Sequence, residues 1–191
     1  ARWGGTRADW LDLSTGINPV PYPLPDLPPD AWTALPDAAA QSALERAARA
    51  FWQVPADAAL VATNGASAAI ALLPQLLPAA RVRIAAPTYN EHGRAFRAAG
   101  WTLTDGPAEA MVAVHPNNPD GRLWRADEIT APTLAVIDES FGEVAPDTSL
   151  IALSTRPRTV VLKSFGKFWG LAGLRLGFAM GDPALIGQLA T

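Results

Sequence analysis

The sequence predicts an α/β fold, a mostly parallel sheet held between helices in three layers. Short apolar runs rich in β-branched residues recur along the chain, and such runs read as strands buried on both faces. Segments of helical pattern separate them, which is the alternation that builds a parallel sheet. The chemically distinctive residues follow the runs at Ala62, Ala86, Val114 and Leu162, or end one at Ile137. In such sheets ligands bind beyond the carboxyl ends of the strands.

Each element follows from local pattern. Residues 1–36 are rich in Pro, Gly and Trp. Asn18-Pro19-Val20-Pro21-Tyr22-Pro23 and Pro28-Pro29 exclude long helices there and predict an extended arm. Residues 37–191 then form the sheet domain. Its first helix, over 38–52, is alanine-rich with charges on one side and ends before Pro55. A strand over 59–62 leads through Thr63-Asn64-Gly65 into a helix over 66–77. A strand over 82–86, a helix over 91–99 and an edge strand over 101–104 come next. Runs over 111–114, 133–137, 159–162 and 174–180 complete the sheet.

Composition narrows the function. A net charge of -3 gives no reason to expect a nucleic-acid or membrane-surface partner. The chain has no cysteine, which excludes disulfides, thiolate metal ligands and a cysteine nucleophile and fits a reducing cytoplasm. Two histidines do not suggest a multi-histidine metal site. The apolar run over 72–77 is interrupted by Pro74 and Gln75, so it is not a membrane span. Ala1-Arg2-Trp3-Gly4-Gly5 does not resemble a signal peptide and lacks an initiator Met, which predicts a processed or trimmed chain.

The strongest motif is Ser164-Phe165-Gly166-Lys167 followed by Arg175. A hydroxyl, an amine and a guanidinium in this register suit a phosphorylated aldehyde: the amine condenses with the aldehyde while Ser and Arg hold the phosphate. Asn64-Gly65-Ala66-Ser67 joins a strand to a helix start, where the N–H groups of Ala66 and Ser67 can cradle an anion. Alone, that segment is as well read as an ordinary capped turn. Asp138 ends a buried run and needs a partner; a helix cap is the plainer reading. His115-Pro116-Asn117-Asn118-Pro119-Asp120-Gly121 is a turn in any case, and His115 reads as structural. Tyr89 follows a strand, where an aromatic more often packs than binds.

In their order along the chain these residues resemble the class I/II aminotransferase-like, fold-type I pyridoxal-phosphate family, from about residue 12 to 182. The resemblance implies pyridoxal 5'-phosphate as cofactor, Lys167 as its covalent partner and Asp138 as the partner of the ring nitrogen. It further implies Ala66, Ser67, Ser164 and Arg175 around the phosphate, Tyr89 stacked on the ring and Asn118 bonded to the ring oxygen. Lys163 lacks this register and is set aside.

Asp12-Leu13-Ser14-Thr15-Gly16-Ile17-Asn18-Pro19 and the lysine segment are most similar to the branch that decarboxylates L-threonine O-3-phosphate in cobalamin biosynthesis. The histidinol-phosphate aminotransferases are the alternative. Phe141 stands where aminotransferases have a tyrosine and cannot donate to the ring oxygen. By the same resemblance Gly16, Ile17 and Asn18 line the substrate pocket. The partner implied is a small phosphorylated amino acid, and the assembly a homodimer. Leu35 replaces a tyrosine that in relatives reaches the other subunit's cofactor.

The chain stops soon after Arg175, so the smaller C-terminal domain of the family is expected to be absent, and with it the usual carboxylate-binding arginine. An inactive cofactor-binding fragment is therefore a further reading. The stretches from Tyr89 to Asn118 and from Asn118 to Asp138 are short for the family. A parallel crossover needs about a dozen residues, so interruptions of the chain are predicted near 105–108 and 129–132.

Overall fold

The computed structural model describes residues 4–11 and 13–190. The reading of the N-terminus on Ala1, Arg2 and Trp3, and the resemblance carried by Asp12, lie outside the described residues.

Seven strands form one sheet: β1 (Ala59–Asn64), β2 (Arg81–Ile84), β3 (Thr102–Thr104), β4 (Ala110–Val114), β5 (Leu134–Asp138), β6 (Thr159–Ser164) and β7 (Leu176–Gly181). Their order is β1-β7-β6-β5-β4-β2-β3. The pairs from β3 through β6 are parallel, while β7 is antiparallel to both β6 and β1. The sheet is thus mostly parallel, as the alternation predicts, with β3 at one edge as expected and β1 at the other. The carboxyl ends of β1, β2, β4, β5 and β6 share one rim with the start of β7.

Among the described residues, five α-helices accompany the sheet: α1 (Asp30–Thr33), α2 (Ala38–Phe51), α3 (Ala66–Leu72), α4 (Asn90–Ala98) and α5 (Pro183–Leu189). Asp37 caps α2 by accepting from the N–H of Ala40 at 2.8 Å, a contact worth about 1 kcal/mol. The predicted helix over 66–77 is shorter than expected. Pro74 has no N–H to continue the ladder, so the chain tightens into a 3-10 turn at Leu73–Gln75.

Side chains alternate across the strands with period 2. Val82, Ile84, Ala110, Val112, Leu134, Val136, Val160 and Leu162 face α3, α4 and α5. Met111, Ala113, Ala135, Ile137 and Val161 face the other way, onto Trp124, Ile129, Leu150 and Leu153. That second layer departs from the expectation. Beyond α2 it is built from 3-10 turns at Gly142–Val144, Pro146–Thr148 and Ile151–Thr155 and from loops, not α-helices. Pro116, Pro119, Pro132 and Pro146 withhold the donors a helix would need.

The backbone is continuous through 105–108 and 129–132, where interruptions were expected. Residues 105–109 pass from β3 over β2 to β4 without a helix. Five residues reach because an extended chain spans about 3.3 Å per residue and strands lie about 4.8 Å apart. Glu109 secures the link: its carboxylate accepts from Arg81 Nε at 3.2 Å and Arg81 Nη2 at 2.8 Å. The link leaves an open hollow bordered by Arg83, Asp105, Pro107 and Thr130.

The arm is exposed along nearly all of its length. Its hold on the sheet domain comes at Asn18, whose N–H donates to the Lys167 carbonyl at 3.1 Å, and at Tyr22, whose N–H donates to the Trp169 carbonyl at 2.8 Å.

Candidate active site

Seven of the sequence-predicted residues meet at one cavity on the shared rim. Ile17, Ala66, Ser67, Tyr89, Ser164, Lys167 and Arg175 all line it, together with Ser140. The elements explain the convergence. Ser67 stands in the first turn of α3, and the N–H groups of Ala66 and Ser67 precede the first intrahelical bonds. Ser164 closes β6 and accepts from the Gly166 N–H at 3.1 Å, which turns the chain so that Lys167 comes back over the rim. Lys167 Nζ lies 5.8 Å from the centre of the Tyr89 ring. Arg175 precedes β7 in a left-handed conformation (φ 53°), with Nη1 donating to the Ala172 carbonyl at 3.1 Å.

Gly65 makes room for that arginine. Its φ is +74°, and a β-carbon there would lie 2.6 Å from Arg175 Nη2. The guanidinium therefore rests against the backbone that opens α3. A cation, two free N–H groups and the Ser67 hydroxyl are gathered within one cavity, which is the chemistry of an anion site.

Asp138 is buried at the end of β5 and does not itself line the cavity. Its Oδ2 is 2.7 Å from His92 Nε2, and its Oδ1 accepts from the Ser140 N–H at 2.9 Å and the Ser140 hydroxyl at 2.6 Å. Burial is the largest single influence on this carboxyl and pushes its pKa up. The bond and charge of His92 and the two Ser140 donors together outweigh burial and hold it below the ordinary aspartate range. Asp138 is thus a charged carboxylate in a dry setting, bonded directly to Ser140, whose side chain lines the cavity. Tyr89 is held neutral: burial, Glu91 and Asp138 all raise its phenol.

Two site residues were missed in the sequence. His92 stands three positions after Tyr89 on α4, and that spacing was the available signal, because it places both on one helix face. Ser140 follows Asp138 by two, the spacing of a turn in which an aspartate accepts from the backbone ahead.

Three expected residues sit differently. Asn118 is exposed and does not line the cavity. Asn117 is the buried one, accepting from Thr88 Oγ1 at 2.5 Å and donating to the Pro87 carbonyl at 2.9 Å. Gly16 lies against Phe141, whose ring would be 3.2 Å from a β-carbon there. Asn18 spends both side-chain atoms internally, Nδ2 on the Phe168 carbonyl at 2.9 Å and Oδ1 on the Val20 N–H at 3.0 Å.

The set-aside residues form a separate network on the opposite face. Lys163 Nζ is 2.7 Å from Glu139 and 3.3 Å from Glu143, and Trp52 Nε1 donates to Glu143 at 2.8 Å. His115 is structural: Nδ1 accepts from the Trp124 N–H, which leaves Nε2 to donate to the Thr148 carbonyl at 2.8 Å.

The layered sheet with a lysine, an arginine and a buried aspartate on one rim defines the large domain of a fold-type I enzyme. The chain belongs to the aminotransferase class I and II family, whose family model matches residues 8–109 and 103–191. The overlap of the two matched segments falls on the short β3–β4 link. Threonine-phosphate decarboxylase from Pseudomonas aeruginosa is 41% identical over 201 aligned positions, covering 96% of this chain and 59% of that protein. The threonine-phosphate decarboxylase of Sinorhizobium sp. is 39% identical over 209 positions, covering all of this chain and 62% of that protein. The histidinol-phosphate aminotransferase of Desulfitobacterium hafniense is 28% identical over 95% of this chain and 60% of that one. An alignment of 209 positions exceeds the 191 residues here, so the relative holds residues this chain lacks. The chain spans about three-fifths of the length of the curated relatives it matches.

Among solved structures, L-threonine-O-3-phosphate decarboxylase from Porphyromonas gingivalis superposes with a TM-score of 0.72 at 24% identity, over 84% of this chain and 58% of that one. The histidinol-phosphate aminotransferase of Clostridium acetobutylicum gives 0.76 at 18% identity, over 95% of this chain and 63% of that one. At these identities the likeness is one of fold.

Proposed function

We propose that the whole protein is a pyridoxal-phosphate-dependent lyase that decarboxylates L-threonine O-3-phosphate, with these residues carrying its cofactor pocket. The observation that carries the reading is the convergence of Lys167, Ser67 and Arg175 on one cavity with Ser140, which bonds the buried Asp138. Identity of about 40% to two threonine-phosphate decarboxylases supports the choice of branch. A role in cobalamin biosynthesis, a homodimeric assembly and a cytoplasmic setting belong to the same proposal.

The residues present fit the cofactor. Arg175, Ser67 and the first N–H groups of α3 would hold its phosphate, Tyr89 its ring face and Lys167 its aldehyde end. When bound, the cofactor supplies an electron-accepting ring for the electron pair that the departing carboxylate leaves behind. Asp138 would hold a proton at the ring nitrogen, and its charge, kept by His92 and Ser140, is what makes that possible. Lys167 would move a proton to the substrate Cα, replacing the lost carboxylate. Ile17 borders the cavity and would orient the substrate, which decides whether the carboxylate or the α-hydrogen leaves. Phe141 has no hydroxyl to offer the ring oxygen and sits against Gly16 instead. This departure from the aminotransferase pattern favours decarboxylation.

An absorption titration with pyridoxal phosphate tests the reading. A visible band that is absent in Lys167→Ala is expected. Carbon dioxide should then form from L-threonine O-3-phosphate without any 2-oxo acid. Turnover that requires such an acceptor would assign an aminotransferase instead.

A further inference from the structure

We infer that arm residues 16–22 clamp the Lys167 loop, with Asn18 as the positioning residue that joins substrate wall and reactive amine into one unit. The inference rests on the proposed function for the role of Lys167, and on geometry alone for the clamp.

The contacts concentrate on four consecutive loop residues. The Lys167 carbonyl accepts from the N–H of Asn18 at 3.1 Å and from the N–H of Gly170 at 3.1 Å. The Phe168 carbonyl accepts from Asn18 Nδ2 at 2.9 Å. The Trp169 carbonyl accepts from the Tyr22 N–H at 2.8 Å, and the two rings meet edge-on at 5.4 Å between centres. Gly170 has φ +67°, and a β-carbon there would lie 2.8 Å from both the Asn18 carbonyl oxygen and Pro21 Cα. Loop and arm are therefore fitted backbone to backbone, at a distance that only glycine permits.

Asn18 pins the arrangement because it bonds in two directions. Its Oδ1 accepts from the Val20 N–H, which fixes the bend of the arm, while Nδ2 and the backbone N–H reach the loop. Ile17, next in the chain, lines the same cavity as Lys167. Gly16, on the other side of Ile17, rests against the Phe141 ring, so the Asn18 bonds and that contact together set the height of Ile17 over the cavity. Loosening the pin should move Ile17 and the backbone of Lys167 together.

The experiment uses the full-length protein with Asn18→Ala, Asn18→Asp and Gly170→Ala. Hydrogen exchange without cofactor is read at the Asn18, Gly170 and Tyr22 amides. Each lost bond should speed exchange roughly fivefold, since a net hydrogen bond is worth about 1 kcal/mol. Asn18→Ala and Gly170→Ala should act alike. Asn18→Asp keeps the bend but lacks the Nδ2 donor, so it should free the loop amides and spare that of Val20. With pyridoxal phosphate bound, the pH midpoint of the visible band and KM should shift together, by about threefold or more in KM. Unchanged exchange in both Asn18→Ala and Gly170→Ala would overturn the clamp. Faster exchange with an unmoved midpoint and KM would reduce Asn18 to an anchor of the arm and overturn its positioning role. A native protein that gives no visible band would instead defeat the functional reading, while the exchange result would still decide the clamp.

Discussion

The charge on Asp138 depends on one imidazole and one serine. Burial works against the carboxylate, and His92 and Ser140 reverse the balance. A carboxyl whose pKa is depressed in the folded state contributes stability above its unfolded value, near 3.9, and loses it as pH falls through the folded value. In His92→Ala the burial penalty is left facing Ser140 alone, so the carboxyl pKa must rise. The loss of stability should then begin at higher pH, and the protein should be about 1.5–3 kcal/mol less stable near neutrality, the range for a hydrogen bond to a charged group. Thermal melts of cofactor-free protein between about pH 3 and 7 check this; parallel curves for native and variant would contradict it. Lys167, Ser67 and Asp138 could be singled out in the sequence because each ends or follows a strand, and Arg175 because it stands just before one. His92 could not. A helical position reveals its face only once the sheet order places β5 beneath α4, and that order is a long-range property. The same limit explains Asn118: two adjacent asparagines in a turn differ only in which one the loop turns inward, and the structure buries Asn117.

At the scale of elements, the site depends on how α3 opens. Gly65 takes φ +74° and leaves its side-chain space to the Arg175 guanidinium. Gly65→Ala meets both obstacles, a left-handed backbone costing about 1–2 kcal/mol and a displaced arginine. Cofactor affinity should fall at least about tenfold, the equivalent of 1.4 kcal/mol, as a charge-assisted contact to phosphate is lost. A titration of the visible band measures it. Native affinity in the variant would mean that Arg175 does not serve the phosphate. The strands were legible because burial on both faces leaves uninterrupted apolar runs, as in β4 and β6. The 3-10 turns over 142–155 carry no helical period and could not be read. The β3–β4 link is shorter than a helical crossover, and its five extended residues reach because only one strand is crossed.

At the scale of the molecule, the arm leaves several large apolar side chains exposed. Trp32 is 75% exposed and Leu35 92%, and Leu11, Leu13 and Val20 are also exposed. Contiguous apolar patches beyond a few hundred Å² mark interaction surfaces. Among the described residues, the arm's backbone bonds to the sheet domain come from Asn18 and Tyr22, and Trp32 and Leu35 lie exposed beyond them. The homodimer expected from the sequence supplies a second copy of the same domain, and a two-fold arrangement would let each arm lie on its partner. If so, full-length protein should sediment as a dimer, and Trp32→Glu with Leu35→Glu should raise the dissociation constant at least about tenfold by burying charge in that contact. The clamp lies at a distance in sequence, so hydrogen exchange at Asn18 and Tyr22 should stay protected in the same variant. Sedimentation velocity across a dilution series separates the outcomes. A dimer of native strength in the double variant would remove the arm from the interface.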